Sequence, residues 1–148
     1  MPLPLNPGEN VYIDHLIKDG TYSMPTMQAA SDHYSIAYIV SGDRRWISNE
    51  VIRTTHGGDT SISKPHVYHR NCSMSDVPYD RYVLKVRIET FQPIIDIIGE
   101  DELNAICTNY LHFSKESQKI IHSMFEEMLK VYEKKLPILP AFASGNGL

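Results

Sequence analysis

The 148-residue chain is predicted to be a mainly β protein, a small antiparallel barrel or sandwich followed by an α-helical segment. Two observations carry this. Up to about residue 90, short runs of β-branched and aromatic residues alternate with turn residues, the pattern of closely spaced antiparallel strands. Beyond Phe91 the apolar residues recur at three- and four-residue steps, which is the period of a helix. The expected boundaries are 1–90 for the barrel, 91–136 for the helical segment and 137–148 for a linker or tail.

The strands are read in order from their punctuation. Residues 35–40 (SIAYIV) stop at Ser41-Gly42-Asp43, and 45–48 (RWIS) stop at Ser48-Asn49. Residues 50–55 (EVIRTT) stop at His56-Gly57-Gly58-Asp59. Residues 79–89 alternate for longer: Tyr82, Leu84, Val86 and Ile88 share one face, and Arg81, Val83, Lys85, Arg87 and Glu89 the other. One apolar face and one mostly charged face describe a half-buried strand.

Pro93 suits a first helical turn, and Ile94, Ile95, Ile97 and Ile98 precede a stop at Gly99. Residues 101–110 support a second short helix. Ser114 then caps a long one over 115–135, about 30 Å at 1.5 Å per residue. On it Ile120, Ile121, Met124, Phe125, Met128, Leu129 and Tyr132 form a wide apolar stripe. Lys130, Lys134 and Lys135 sit near its C-terminal end, where the helix dipole favours cations. Pro137 and Pro140 end it, and 143–148 (ASGNGL) read as flexible.

Composition narrows the function classes. An apolar fraction of 42% with 22% charged residues is that of a globular domain and not of a disordered chain. The net charge is −4, and neither half has the Lys and Arg excess of a nucleic-acid-binding surface. The two cysteines, Cys72 and Cys107, form no CxxC and read as reduced thiols. The Pro-rich N-terminus has neither the basic start nor the apolar run of a signal peptide, and no apolar stretch approaches the ~20 residues of a membrane span. The expected location is the cytoplasm.

Chemistry-bearing residues cluster in the β region. His56, His66 and His69, with His33 upstream, could converge on a metal, yet 31–35 (SDHYS) carries neither HxH nor Glu, so no metal site is assigned. There is no GxSxG elbow, and Gly57-Gly58 lacks the phosphate-loop pattern. Tyr34, Tyr38, Arg45, Trp46, His66, Tyr68, His69 and Arg81 instead form a plausible pocket set, aromatic walls with a few polar anchors.

Three segments taken together resemble a known pattern: 36–42 (IAYIVSG), Gly58-Asp59-x-x-Ile62-x-x-Pro65-x-x-x-His69-Arg70, and Tyr79-Asp80-Arg81-Tyr82. They resemble the N-terminal cupin-type domain of AraC-family transcription regulators, over about residues 30–135. The resemblance implies a jelly-roll barrel that binds a small-molecule effector, with Tyr38, Trp46, His69 and Arg81 as ligand contacts. It implies a homodimer through the C-terminal helices, with Ile121, Met124, Phe125, Met128 and Tyr132 at the contact. It implies no catalytic residue, metal or cofactor. Ser35 stands where the family has Glu, the upstream His pair is absent, and only His69 of the usual metal set is kept. The alternative is a metal-dependent cupin enzyme, an isomerase or oxygenase, with His33, His66 and His69 as ligands. Regulators of this family continue into two helix-turn-helix units; DNA contact is expected only from such a module, beginning about where Leu148 ends this chain.

Overall fold

The computed structural model describes residues 5–49 and 51–135. The expected tail at 137–148, with Pro137 and Pro140, lies outside them, as does Glu50. Eight strands and three helices follow in order: β1 (Val11–Lys18), β2 (His33–Ser41), β3 (Arg44–Ser48), β4 (Ile52–Thr55), β5 (Asp59–Ser63), β6 (His69–Ser73), β7 (Tyr79–Arg87), α1 (Ile88–Ile98), α2 (Glu100–Thr108), β8 (Leu111–His112) and α3 (Lys115–Lys135). The larger sheet has the order β1-β7-β2-β5-β8 and the smaller β4-β3-β6. Every pairing is antiparallel. Among the described residues no ladder joins the two sheets, so the cupin-type jelly roll is two facing sheets and not a closed barrel.

Alternation along β2 and β7 decides what each face of the large sheet meets. Tyr34, Ile36, Tyr38, Tyr82, Leu84 and Val86 turn outward to the helices and build two cores. One joins Tyr34 and Val86 to Phe91 and Ile95 of α1 and to Leu103 and Cys107 of α2. The other joins Ile13, Tyr38 and Tyr82 to Phe125 of α3. The charged face of β7 therefore points between the sheets, not to solvent. Helices cover the apolar face, so both faces of this strand are occupied.

β7 runs into α1 without a linker, so the helical segment begins at Ile88 and Pro93 falls inside the helix instead of its first turn. Gly99, at φ 87°, ends it and donates its N–H to the Ile95 carbonyl at 2.8 Å. Ser114 caps α3 as expected, accepting from the Ser117 N–H at 3.2 Å. The Gly-Asp turn before β5 has a clear physical cause. The buried Asp59 carboxylate accepts from the His56 N–H at 2.8 Å and meets His112 Nδ1 at 2.6 Å, tying the turn to β8. Strands β1, β5, β6 and β8 had no separate expectation. β5 (DTSIS) and β6 (HRNCS) are short and polar, β8 has two residues, and β1 (VYIDHLIK) does not alternate strictly between apolar and polar positions. No described helix is long and apolar enough to cross a membrane.

Candidate functional site: a basic cavity between the sheets

A cavity of about 280 Å³ lies between the sheets. Its walls follow from strand parity. β7 contributes Tyr79, Arg81, Val83 and Lys85; β2 contributes His33, Ser35 and Ala37; β5 contributes Ser61 and Ser63. From the small sheet come Arg44 and Trp46 of β3 and His69 and Asn71 of β6. The β1–β2 connection closes one side with Tyr22, Met24, Pro25, Gln28 and Ala30. That connection is laid along β6: Gln28 and His69 exchange backbone hydrogen bonds at 2.9 Å, and the Met24 N–H reaches the Asn71 carbonyl at 2.9 Å.

The electrostatics are one-sided. Arg44, Lys64, Arg81 and Lys85 line the cavity, and among the described residues no Asp or Glu does, in a chain whose net charge is −4. Arg81 is neutralised by Asp14, with Nη1 to Oδ1 at 2.6 Å. Lys64 is turned toward Asn104 of α2. Arg44 is 1% exposed. Its guanidinium lies 4.1 Å over the Tyr79 ring, and Nη1 donates to the Tyr22 carbonyl. Its Nε and Nη2 have no hydrogen-bond partner among the described residues. Burial depresses the pKa of Arg44 and of Lys85. An unpaired cation shielded from water is costly to the empty fold, and an anion supplied from outside relieves that cost.

Trp46 and His69 are stacked at 5.1 Å with 18° between their planes, forming a flat aromatic wall. Burial lowers the His69 pKa, and its Nδ1 contacts the Val67 carbonyl at 3.1 Å. The ring is therefore neutral, with the proton on Nδ1 and Nε2 left as an acceptor. Behind Trp46 stands Arg53 of β4, its guanidinium 4.1 Å from the indole. Burial lowers its pKa to about 10. It donates to the Cys107 carbonyl at 2.7 Å and to the Asn109 carbonyl, so it caps the C-terminal end of α2. The aromatic wall is thereby linked to the helical layer.

Trp46, His69 and Arg81, three of the residues expected to contact ligand, lie together in this cavity. Tyr38 does not. It sits on the opposite face of β2, stacked 5.8 Å from Phe125, and faces an open groove with Lys115, Gln118, Lys119, His122, Ser123 and Glu126. Of the wider pocket set, Tyr34 is stacked on Phe91 at 4.6 Å, while Arg45, His66 and Tyr68 are exposed. His33 is engaged by Asp32 at 2.6 Å, and His56 by Asp43 at 2.7 Å. Among the described residues no group of three or more His, Cys, Asp or Glu side chains is placed to hold a metal ion, so His33, His66 and His69 do not form one ligand set.

Arg44, Lys85, Tyr22 and Tyr79 were missed by sequence reasoning. The signal for three of them was parity. Arg44 is two residues from Trp46, and Tyr79 and Lys85 are two and four from Arg81, so each shares the inward face of its strand. On α3, Phe125 is buried against Tyr38 and Tyr82, and Ile121, Met128 and Tyr132 pack on the same sheet. Of the residues expected at a dimer contact, Met124 is the one that is mostly exposed, next to the outward-facing Ile120.

No family model matches the sequence, and no curated protein matches it. Solved structures do. ToxT from Vibrio cholerae superposes with a TM-score of 0.59 at 12% identity, over 85% of this chain and 54% of that one. An apo ToxT variant from V. cholerae strain SCE256 gives 0.62 at 12% identity, over 81% and 48%. ToxT from V. cholerae O395 bound to (E)-4-(8-methylnaphthalen-1-yl)but-3-enoic acid gives 0.59 at 12% identity, over 84% and 54%. The chain spans about half the length of ToxT. ToxT is an AraC-family regulator, and the shared fold is that of its cupin-like N-terminal domain.

Proposed function

We propose that this chain is the effector-sensing and dimerisation domain of a cytoplasmic AraC-type transcription regulator, and that its effector is a small organic acid bound between the sheets. The observation that carries this is the cavity wall, with four basic side chains, an aromatic platform and, among the described residues, no carboxylate. The order of the sequence motifs and the ToxT-like fold support the regulatory setting. The carboxylic acid held by ToxT supports the ligand class. DNA is contacted by a separate helix-turn-helix module.

In this reading an acid engages the cavity cations while its body lies along Trp46 and His69. It can bias the regulator only by binding one arrangement of the domain more tightly than another. Two contacts connect the wall to the helices, Arg53 to the end of α2 and Lys64 to Asn104. The β1–β2 connection lines the same cavity, so occupancy acts on it directly. A second copy docks on the outward side of α3, around Met124 and Ile120.

Trp46 is the single tryptophan, so its fluorescence reports on this wall alone. The test is a screen of sugars, aromatic compounds, fatty acids and short organic acids by Trp46 emission and thermal melting. At one hundred times Kd a ligand stabilises the fold by about 2.7 kcal/mol, a melting shift of roughly 5–10 °C. Acids that move both signals are the expected result. A library that moves neither overturns the sensing role.

A further inference from the structure

We propose that the effector is an elongated dianion, with one anionic group met by Arg44 and the other by Lys85. This rests on the reading that the inter-sheet cavity is the effector site, and it adds the number and placement of the charges.

The cations of the wall are not equivalent. Asp14 already neutralises Arg81, and Lys64 is drawn toward α2. Arg44 and Lys85 remain. Arg44 is packed between Tyr22 and Tyr79 with two guanidinium nitrogens unpartnered. Lys85 has its ammonium 5.2 Å from the Tyr12 ring and forms no ion pair within 4.0 Å among the described residues. The acidic groups that act on Lys85 are Asp14, Asp32 and Glu9, and each is engaged elsewhere. Asp14 holds Arg81 at 2.6 Å, Asp32 holds His33 at 2.6 Å, and Glu9 accepts from Tyr132 Oη at 2.8 Å. Two partly or fully buried positive charges thus form no direct ion pair among the described residues.

They are also far apart. Arg44 lies over Tyr79, and Tyr79 and Lys85 are separated by six positions on β7, about 20 Å of strand. One carboxylate, with a hydrogen-bonding reach of about 3 Å, cannot serve both. Between them the wall is mild: Val83, the serines of β2 and β5, and the flat Trp46–His69 pair. The volume, about 280 Å³, falls just below the ~300–1,000 Å³ usual for drug-sized ligands. A slender body long enough to carry an acid to each end fits this distribution.

The experiment titrates the purified protein with straight-chain dicarboxylates of six to fourteen carbons and their monocarboxylate counterparts, by calorimetry and Trp46 emission. Sugars and neutral aromatics run alongside. A dicarboxylate is expected to bind at least tenfold tighter than the matched monocarboxylate. Lys85→Met is expected to remove that preference while keeping monocarboxylate affinity within about threefold, and Lys85→Arg to restore it. Equal binding of mono- and dicarboxylates, unchanged in Lys85→Met, overturns the dianion and leaves the organic-acid reading intact. Binding of neutral compounds with none of either acid series overturns both the dianion and the acid, while a ligand-sensing role stands. Silence from every compound overturns all three.

Discussion

Replacing Phe125 by alanine separates a helix that belongs to its own domain from one that belongs to a dimer. The side chain is 5% exposed. Its ring centroid lies 5.8 Å from those of both Tyr38 and Tyr82, with Ile121 and Met128 packed alongside. Truncation leaves a ring-sized void between two tyrosines held rigidly by the β2–β7 ladder, which cannot collapse onto it. Phe→Ala at such sites costs about 3–5 kcal/mol, and at roughly 2–4 °C per kcal/mol for a chain of this size the melting temperature falls by about 6–20 °C. Met124 is the control. At 56% exposure, Met124→Ala changes monomer stability by less than about 0.5 kcal/mol and raises the dimer dissociation constant. The assay is circular-dichroism melting of both variants across a hundredfold range of protein concentration, with sedimentation for oligomeric state. The Phe125→Ala loss is expected at every concentration. A loss that appears only where dimers form places Phe125 in an intermolecular contact, and a loss under about 1 kcal/mol shows that α3 does not close this core; either result refutes the packing described.

Three further outcomes are expected. Because burial, with Arg53 acting in the same direction, lowers the His69 pKa, the unfolded chain binds this proton first as pH falls through the ordinary value near 6.5. Stability therefore drops below that pH, and urea titrations at pH 7.5, 6.5 and 5.5 will show a smaller drop in His69→Gln. Gly20→Ala places a Cβ 2.4 Å from the backbone of Asp76 and Val77; strain of this kind costs about 1–3 kcal/mol, visible in the urea midpoint. Arg53→Met strips the Cys107 and Asn109 carbonyls of their donor and is expected to destabilise by about 1–3 kcal/mol. It will also shift Trp46 emission, because the guanidinium lies 4.1 Å from the indole.

The sequence by itself determined strands β2, β3, β4 and β7, the β-to-helix change near residue 90 and the long helix 115–135, and it named three residues, Trp46, His69 and Arg81, that line one cavity. These rest on local rules. Turn residues break strands, a serine caps a helix, and periods of two and 3.6 follow from backbone geometry alone. Only the tertiary structure decided which side of each face is the inside. On β7 the alternation was legible, but Arg81 and Lys85 line the cavity because α1, α2 and α3 claim the apolar side with Tyr82, Leu84 and Val86. The same sidedness turns Tyr38 away from the cavity, and it spends Phe125 on the chain's own core. Parity says which residues share a face. Which face is covered, and by what, depends on partners distant in sequence that no local period encodes.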